Sequence, residues 1–476
     1  MRLKIFSLFL FLLFACSLQA QTEWDNFQKY CTYRHRFSTY FTVIGEQQGE
    51  CMVIGNRNRY LSTRICYGQH GIQMGYYMGM LATEYALLQR YGQTMHADST
   101  LEELKLVLHA YSEYMDKCEH YFDKPDIVDG FFIRENVPVR FLDSTTKAGQ
   151  KHLELLNRGL NASHIYVSES DSFYMLAKGM PAYINGLYQV YNTKEMMSQD
   201  EAYGIMMGLA LVAKCVPPLA DNARHLFKLI ALHIIGKNAY SSCDNQGYII
   251  KKPDCEAISE SGGGSTALFG YGIACAAVRV TALPLDSFIN TFSSKDYGKS
   301  LSTYTTTGKL HLPIGTNNMY YVWKICGRGI PGQQEWNRSM CATLGALGDS
   351  WGKHTDKSIV KNTYWTKGKK QHDWRTFYLS LWRFLHDKTP DKQECAMIQQ
   401  ELNTAPPYGP YNYKTKEHPL NFAPGGWAYI YRYRATISEQ YEGSSLTGNF
   451  NGLDYMLMYN LYRLLYSDDN MPSYQW

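Results

Sequence analysis

Gly75-Tyr-Tyr-Met-Gly79 and Gly204-Ile-Met-Met-Gly208 each place two glycines four residues apart, in segments well separated along the chain. In an α-helix such glycines lie on one face and allow a second backbone to approach closely. A third glycine-rich stretch covers residues 262–270. A small polar cluster precedes each stretch: Gln69-His70, Ser198-Gln199-Asp200-Glu201 and Glu260-Ser261. The pattern predicts closely packed helices that carry polar groups at their starts.

Hydrophobic periodicity predicts about twelve helices along the chain. They cover residues 72–91, 101–118, 147–159, 172–191, 200–215, 219–235, 265–282, 285–292, 339–347, 374–386, 392–402 and 453–466. The second is expected to begin after an N-cap at Ser99 or Thr100, and the first to stop at Gly92. Short strands near 247–250 and 309–312 predict minor β-hairpins in long loops.

Twelve antiparallel helices of this length suit an (α/α)6 toroid, in which six inner helices are ringed by six outer ones. We therefore predict an all-α fold. Residues 21–476 are expected to form one domain, because no linker or low-complexity stretch interrupts them. The pattern resembles, at fold level and over most of the chain, the helical-barrel glycoside hydrolases and polysaccharide lyases that bacteria export. The resemblance implies an enzyme that acts on an oligosaccharide or polysaccharide.

Residues 1–20 have the composition of a cleaved signal peptide. Arg2 and Lys4 precede an apolar run over residues 5–15, which is too short to cross a bilayer, and Ala20 offers a small residue before the cut. The alternative is a lipobox at 13–16, with Cys16 acylated as a lipid tether. We expect a periplasmic or secreted protein. Under the alternative, the protein would be an outer-membrane lipoprotein.

Charge argues against nucleic acid as a partner. Loss of Arg2 and Lys4 with the leader lowers the net charge from +4 to +2, and no long basic block occurs. No Cys/His spacing typical of a zinc site is present, and no cofactor or metal is expected. Cysteines at 243 and 255, and at 51 and 66, are candidate bridges. Cys215 and Cys275 fall on apolar helix faces and are expected to be buried, inert thiols.

Candidate catalytic carboxylates are grouped by helix direction. If successive helices alternate in direction, those that begin near 72, 147, 200, 265 and 339 share one end of the fold. Asp200, Glu201 and Glu260 would then meet there, and hydrolysis of a glycosidic bond needs two carboxyl groups on opposite sides of that bond. The alternative is local: residues 198–201 also form a good helix-capping sequence.

Asp129 is a further catalytic candidate. It lies in a loop between predicted helices, beside the aromatic pair Phe131-Phe132, and loops at the mouth of a rigid scaffold often carry function. The alternative is that Asp129-Gly130 is only a turn.

Candidate substrate-binding residues are aromatic or basic: His70, Tyr76, Trp336, Arg338, Trp427 and Tyr429. Tyrosine is abundant, at 39 of 476 residues, and either stacks on sugar rings or fills wide helix interfaces. Two other functions stay open. A uronic-acid lyase would use a Tyr or His base beside an arginine. A carbohydrate-binding or cell-envelope protein would use the same cleft without chemistry.

Overall fold

The computed structural model describes residues 23–35, 37–38, 42–43, 53–54, 56–57, 65–66, 70–122, 130, 132, 182–184, 188–190, 199–235, 273, 275–282, 343–349, 375–390, 392–404 and 452–466. The helices are α1 (23–35), α2 (His70–Arg90), α3 (Thr94–Phe122), α4 (Gln199–Cys215), α5 (Ala220–Ile235), α6 (275–281), α7 (343–348), α8 (Arg375–Leu385), α9 (Lys392–Thr404) and α10 (Leu453–Tyr466). This part of the chain is mostly helical, as predicted for an all-α protein.

Three antiparallel pairs of very short strands accompany the helices. β1 (Thr42–Val43) pairs with β2 (Val53–Ile54), β3 (Asn56–Arg57) with β4 (Ile65–Cys66), and β5 (Ala182–Ile184) with β6 (Tyr188–Val190). The last pair contradicts the helix predicted over 172–191. Pro181 disfavours a continuous helix there, and Asn185-Gly186 is a strong hairpin signal that the helical periodicity concealed. The strands predicted at 247–250 and 309–312 lie outside the described residues.

Within the described residues, most predicted helix ends lie within about two residues of those in the structure, and their causes are local. Gly92 has φ +69° and closes α2 with a Schellman motif, in which Gln93 N–H donates to the Leu88 carbonyl at 2.9 Å. Pro217–Leu219 forms a 3-10 turn directly after α4. The predicted start of α3 is wrong, because the helix begins at Thr94.

Thr100 shows why that start was misplaced. Its hydroxyl donates to Glu84 on α2 at 2.8 Å, and Ser99 bonds back to the Met95 carbonyl at 3.1 Å. Both residues therefore lie inside α3, where they serve tertiary and intrahelical contacts rather than a cap. Helix α1 was not predicted at all, although Phe27, Tyr30 and residues 33–34 recur at helical spacing.

The glycine-rich stretches of α2 and α4 pack against each other, as the sequence predicted. A Cβ added at Gly75 would fall well inside van der Waals distance of the Gly204 carbonyl oxygen. A Cβ at Gly204 would lie 2.9 Å from the Cα of Ile72, and one at Gly208 would lie 2.9 Å from the Cβ of Met78. The two backbones are therefore in direct contact, and only glycine fits at these positions.

Helices α2, α4 and α10 run in the same direction. Along α2, Gly71 faces Glu201 near the start of α4, and Gly79 faces Leu211 near its end. Against α10, Asn460 donates to the Met80 carbonyl at 3.1 Å. Arg90, the last residue of α2, donates to carbonyls in the last turn of α10. Residue numbers thus rise together on all three helices, so their N-terminal ends share one side.

Helix α8 follows the same direction. Its first turn stacks on α2, where Phe377 lies 5.7 Å from the ring of Tyr76. Its last residue, Leu385, accepts a hydrogen bond from Lys214 near the end of α4, at 3.1 Å. The N-terminal ends of four helices from separate parts of the chain therefore lie on one side.

Each of these helices has an antiparallel neighbour. Tyr77 and Glu84 of α2 bond to Glu103 and Thr100 of α3, so the two helices run in opposite directions. Helix α5 turns back along α4 after the prolines, and α9 turns back along α8. The largest fully buried side chains of the described part are tyrosines: Tyr30, Tyr33, Tyr77, Tyr111, Tyr114, Tyr203 and Tyr378. For these residues, filling of helix interfaces is the confirmed interpretation.

Two buried arginines join neighbouring helices through ion pairs. Arg34 of α1 donates from Nε to Glu84 at 3.2 Å and from Nη1 to Glu103 at 3.1 Å. Arg383 of α8 donates from Nη2 to Glu394 of α9 at 2.7 Å. Glu84 also accepts from Tyr30 and Thr100, so its carboxylate is well satisfied.

The two thiols predicted to be inert are both buried. Cys215 and Cys275 make no disulfide. Burial raises the pKa of Cys215 to about 12, which keeps the sulfur protonated and unreactive near neutral pH. The candidate bridge from residue 243 to 255 lies outside the described residues.

His386 connects α7 to α8 and makes the fold sensitive to acid. Its Nε2 lies 2.7 Å from the Ala346 carbonyl, beside Asp349, Lys388 and Arg279. Burial, with the two neighbouring cations, lowers the pKa of His386 below its usual 6.5 despite the opposing effects of Ala346 and Asp349. The unfolded chain therefore binds more protons than the folded protein just below pH 6.5, so stability falls as the pH falls through that region.

We expect His386→Gln to flatten the loss of unfolding free energy between about pH 7 and pH 5. Urea titrations at several pH values measure this slope in the variant and in the wild type. Asp349→Asn is the comparison, because loss of this carboxylate, which raises the pKa of His386, should lower that pKa further and steepen the slope over the same range. An unchanged slope in His386→Gln contradicts the assignment.

Candidate functional site

The N-terminal ends of α2 and α4 bring a buried carboxylate against a helix backbone. Glu201, the third residue of α4, is 0% exposed. A Cβ added at Gly71 would lie 3.1 Å from the Cβ of Glu201 and 3.5 Å from its Cδ. The glycine at position 71 thus leaves room for the Glu201 side chain beside the first turn of α2. The positive end of the helix dipole favours a negative charge at this point.

A second carboxylate lies at the start of α10. Asp454 is 4% exposed, and its Oδ1 accepts the backbone N–H of Tyr455 at 2.9 Å. Asp454 also interacts electrostatically with the Tyr76 side chain, which is hydrogen-bonded to Tyr378. Burial first, and then Tyr378 and Asp454, raise the pKa of Tyr76 well above its ordinary value. The hydroxyl of Tyr76 therefore stays protonated near neutral pH.

Aromatic rings enclose the Tyr76 side chain. The ring of Phe377 stacks on Tyr76 at 5.7 Å, and Tyr378 meets Phe377 edge-on at 5.1 Å. The cluster thus combines two helix-start carboxylates with a stacked aromatic group. We name Glu201, Asp454, Tyr76, Phe377 and Tyr378 the N-terminal cluster.

The axial spacing within the N-terminal cluster follows from α2. Glu201 lies level with Gly71, and Asp454 interacts electrostatically with Tyr76, five residues further along α2. At 1.5 Å per residue, five residues correspond to about 7.5 Å along the axis of α2. Helical side chains lean toward the N-terminus, which brings the Tyr76 hydroxyl back toward the level of Glu201.

Charge is distributed unevenly along the parallel helices. Acidic residues lie in the first turns of α4 and α10, whereas Arg90, Lys214, Arg383 and Arg463 lie in the last turns of α2, α4, α8 and α10. This arrangement matches the helix dipoles at both ends. The end that carries the N-terminal cluster is therefore the acidic end of these helices.

The predicted site residues fall into two groups. Glu201 and Tyr76 belong to the N-terminal cluster, while Asp200 and His70 are the second residue of α4 and the first residue of α2. The other candidates lie outside the described residues: Glu260, Asp129, Trp336, Arg338, Trp427 and Tyr429. Ser198 also lies outside them, so helix capping stays open as the alternative role of residues 198–201.

Two residues beside Asp129 support the turn interpretation of that loop. Gly130 has φ +96° and packs on the backbone of α5 at Leu229, which is a position that requires glycine. Phe132 is fully buried and meets the Tyr111 ring edge-on at 5.4 Å. Phe132 is therefore a core residue and not a surface for stacking sugars.

Sequence reasoning missed Asp454 and Tyr378. Asp454 follows Gly452-Leu453 at the start of an apolar helix, which is the same polar-then-helix layout that identified residues 198–201. Tyr378 carries no comparable local signal, because only packing against α2 distinguishes it from the other tyrosines. Its role depends on a contact between segments three hundred residues apart.

The described residues contain neither a cluster of metal ligands nor a helix able to span a membrane. Among the described residues, no three His, Cys, Asp or Glu side chains come close enough to hold a metal ion. Within the same part of the chain, every helix is too short or too polar to cross a bilayer.

The chain was also compared with known proteins. No family model, no curated protein and no solved structure matches it. Its function must therefore be inferred from its own residues and contacts.

Proposed function

We propose that the protein is an exported glycan-active enzyme, most simply a glycoside hydrolase, built on an (α/α)6 toroid. The parallel direction of α2, α4, α8 and α10 supports this architecture, because the inner helices of such a toroid all run the same way. Their antiparallel neighbours α3, α5 and α9 take the place of outer helices. Contacts between α2 and α10, which lie near opposite ends of the chain, are those that a closed ring requires.

The observation that supports the proposal is that Glu201 and Asp454 are both buried carboxylates in the first turns of parallel helices. Glycoside hydrolysis uses one carboxyl group to protonate the leaving oxygen and another to activate water or attack the sugar. Glu201 is one member of the proposed pair. Asp454 is the second member among the described residues, and Glu260 and Asp200 remain the members proposed from the sequence.

Aromatic and basic residues would complete the cleft. Tyr76 supplies a hydroxyl donor beside Asp454, and Trp427, Tyr429 and Trp336 are proposed to stack on sugar rings. His70 and Arg338 are proposed to bind hydroxyl or carboxylate groups of the substrate. The signal sequence over residues 1–20 supports the periplasm or the exterior as the location, with Cys16 as a lipid tether in the alternative.

Elimination at a uronic acid is the less favoured chemistry. A lyase needs a base that loses its proton near neutral pH. The pKa of Tyr76 is raised well above its ordinary value by burial and then by Tyr378 and Asp454. Tyr76 is therefore unsuited to be that base, and a lyase would need another one, such as His70.

A panel of neutral and acidic polysaccharides tests the proposal. We expect the purified mature protein to release reducing ends from at least one neutral glycan, without the ultraviolet absorbance of an unsaturated product. Absorbance at the wavelength of unsaturated uronic acids would instead identify a lyase. Binding measured by calorimetry without any cleavage would identify a carbohydrate-binding protein. Neither cleavage nor binding across the panel would reject the glycan proposal.

A further inference from the structure

Helix α1 contacts helices from both ends of the chain. Near its C-terminal end, Arg34 reaches α2 and α3 through the carboxylates of Glu84 and Glu103. Phe37, just beyond α1, lies 4.7 Å from the Tyr77 ring of α2. This end of α1 is therefore attached to the first helical hairpin of the fold.

The other end of α1 is attached to the last helices. Lys29 donates to the Leu402 carbonyl of α9 at 2.6 Å, and Asn26 donates to Asn403 at 2.6 Å. Glu23 accepts from Arg463 of α10 at 3.1 Å. A helix of thirteen residues thus spans the junction between α2–α3 and α9–α10.

The contacts of α1 differ in chemistry from those between α2 and α4. Tyr30 and Tyr33 lie 5.1 and 5.0 Å from the rings of Tyr459 and Tyr455. Charged or amide groups make most of the remaining links. Water can solvate such groups when the surfaces separate, so their exposure costs less than exposure of an aliphatic interface.

At the α2–α4 interface, solvation by water would not offset the cost of separating the helices. Glycine backbones are in contact there, and Ile72, Met78 and Leu211 surround them. Separating these helices would expose aliphatic surface and lose close packing at every turn. The two interfaces should therefore open at different free energies.

We propose that α1 is a strap that docks and undocks as a unit while α2, α4 and α10 stay packed. In the docked form the strap joins the first and last helices of the described part. In the undocked form the surface between α2–α3 and α9–α10 becomes accessible. The proposal is independent of the glycan function.

Native-state hydrogen exchange of the whole mature chain, read by mass spectrometry, tests the strap. We expect amides of α1 to exchange at least about tenfold faster than those of α4 in the wild type. Arg34→Met leaves Glu84 and Glu103 without their shared guanidinium, so it should raise α1 exchange by a further factor of about ten and change α4 less than about twofold. The thiol of Cys31, half-buried on α1, provides a second readout, and its alkylation should accelerate in the same variant while that of Cys215 does not.

Arg224→Met is the matched control. Arg224 is half-exposed on α5, where it pairs with Asp221 at 2.9 Å and reaches the Ala213 carbonyl at 3.4 Å, far from α1, so its removal should change neither α1 exchange nor the alkylation of Cys31. Tyr30→Phe, which removes the hydroxyl bonded to Glu84, Met80 and Asn460 but no charge, gives the same ordering with a smaller effect if Arg34→Met does not fold. Equal exchange of α1 and α4 in the wild type, or an equal rise in both on substitution, would show that α1 opens only with the whole protein and would overturn the proposal.

Discussion

Gly75→Ala is expected to lower the free energy of unfolding by about 3 kcal/mol or more. On an exposed helix the same change would stabilise by about 1 kcal/mol, because alanine has the higher helix propensity. At position 75 the added methyl would overlap the Gly204 carbonyl oxygen, which belongs to a backbone and cannot rotate away. The sign of the effect therefore depends on whether α2 and α4 are in backbone contact.

Gly79→Ala is the matched control on the same face of α2. Its Cβ would lie 2.8 Å from Leu211 Cδ1 and 3.3 Å from Leu457 Cδ2, and both atoms are the ends of flexible side chains. We expect a change of less than about 1 kcal/mol there, since rotamer shifts offset part of the gain in helix propensity. Urea unfolding followed by circular dichroism measures both variants. A Gly75→Ala protein as stable as the wild type would exclude the close contact.

The glycine pattern was informative because it acts at short range in sequence and at contact distance in space. Gly75 and Gly204 each mark a helix face that lacks Cβ atoms. Two such faces approach most closely when they pack against each other. Gly92 and Pro217 are similarly local, and they place the ends of α2 and α4 correctly. The identity of the partner helix and the shared direction of the pair required the structure.

Errors arose where tertiary contacts override local preference. Threonine is common at helix N-caps, yet the Thr100 hydroxyl binds Glu84 and α3 continues through this residue. Helix α1 has a periodicity that is weakened by charged residues, and Arg34 and Lys29 on its inner face bind partners on other helices. The partners of such residues cannot be read from local sequence.

The candidate site, like the fold, was predictable only in part. Glu201 was identifiable because a polar cluster before a glycine-rich helix marks a helix start. Asp454 has the same local layout. Its place in the candidate site follows from the direction of α10 and from its electrostatic interaction with Tyr76. Pairs of catalytic groups are defined by distance in space, and a sequence supplies only their separate helix starts.

Glu201→Gln and Asp454→Asn are each expected to lower kcat by about a thousandfold or more on whichever glycan the wild type cleaves. Both changes keep the size of the side chain and remove its ability to ionise, so acid or base catalysis is lost while packing is preserved. The same loss is expected for Glu260→Gln and Asp200→Asn if those residues, rather than Asp454, complete the pair. The variant of the general acid should also lose the basic limb of the pH profile of kcat/KM.

Glu102→Gln is the control for these substitutions. Glu102 is an exposed carboxylate on α3, paired with Lys105 at 2.6 Å, and its change should leave both kcat and thermal stability close to wild type. A thermal unfolding midpoint within a few degrees of wild type separates a catalytic loss from misfolding. Retention of full kcat in Glu201→Gln would remove Glu201 from the mechanism and leave helix capping as its role. Retention in Asp454→Asn alone would instead assign the second carboxylate to Glu260 or Asp200, because hydrolysis through a single carboxyl group lacks either the proton donor or the group that activates water.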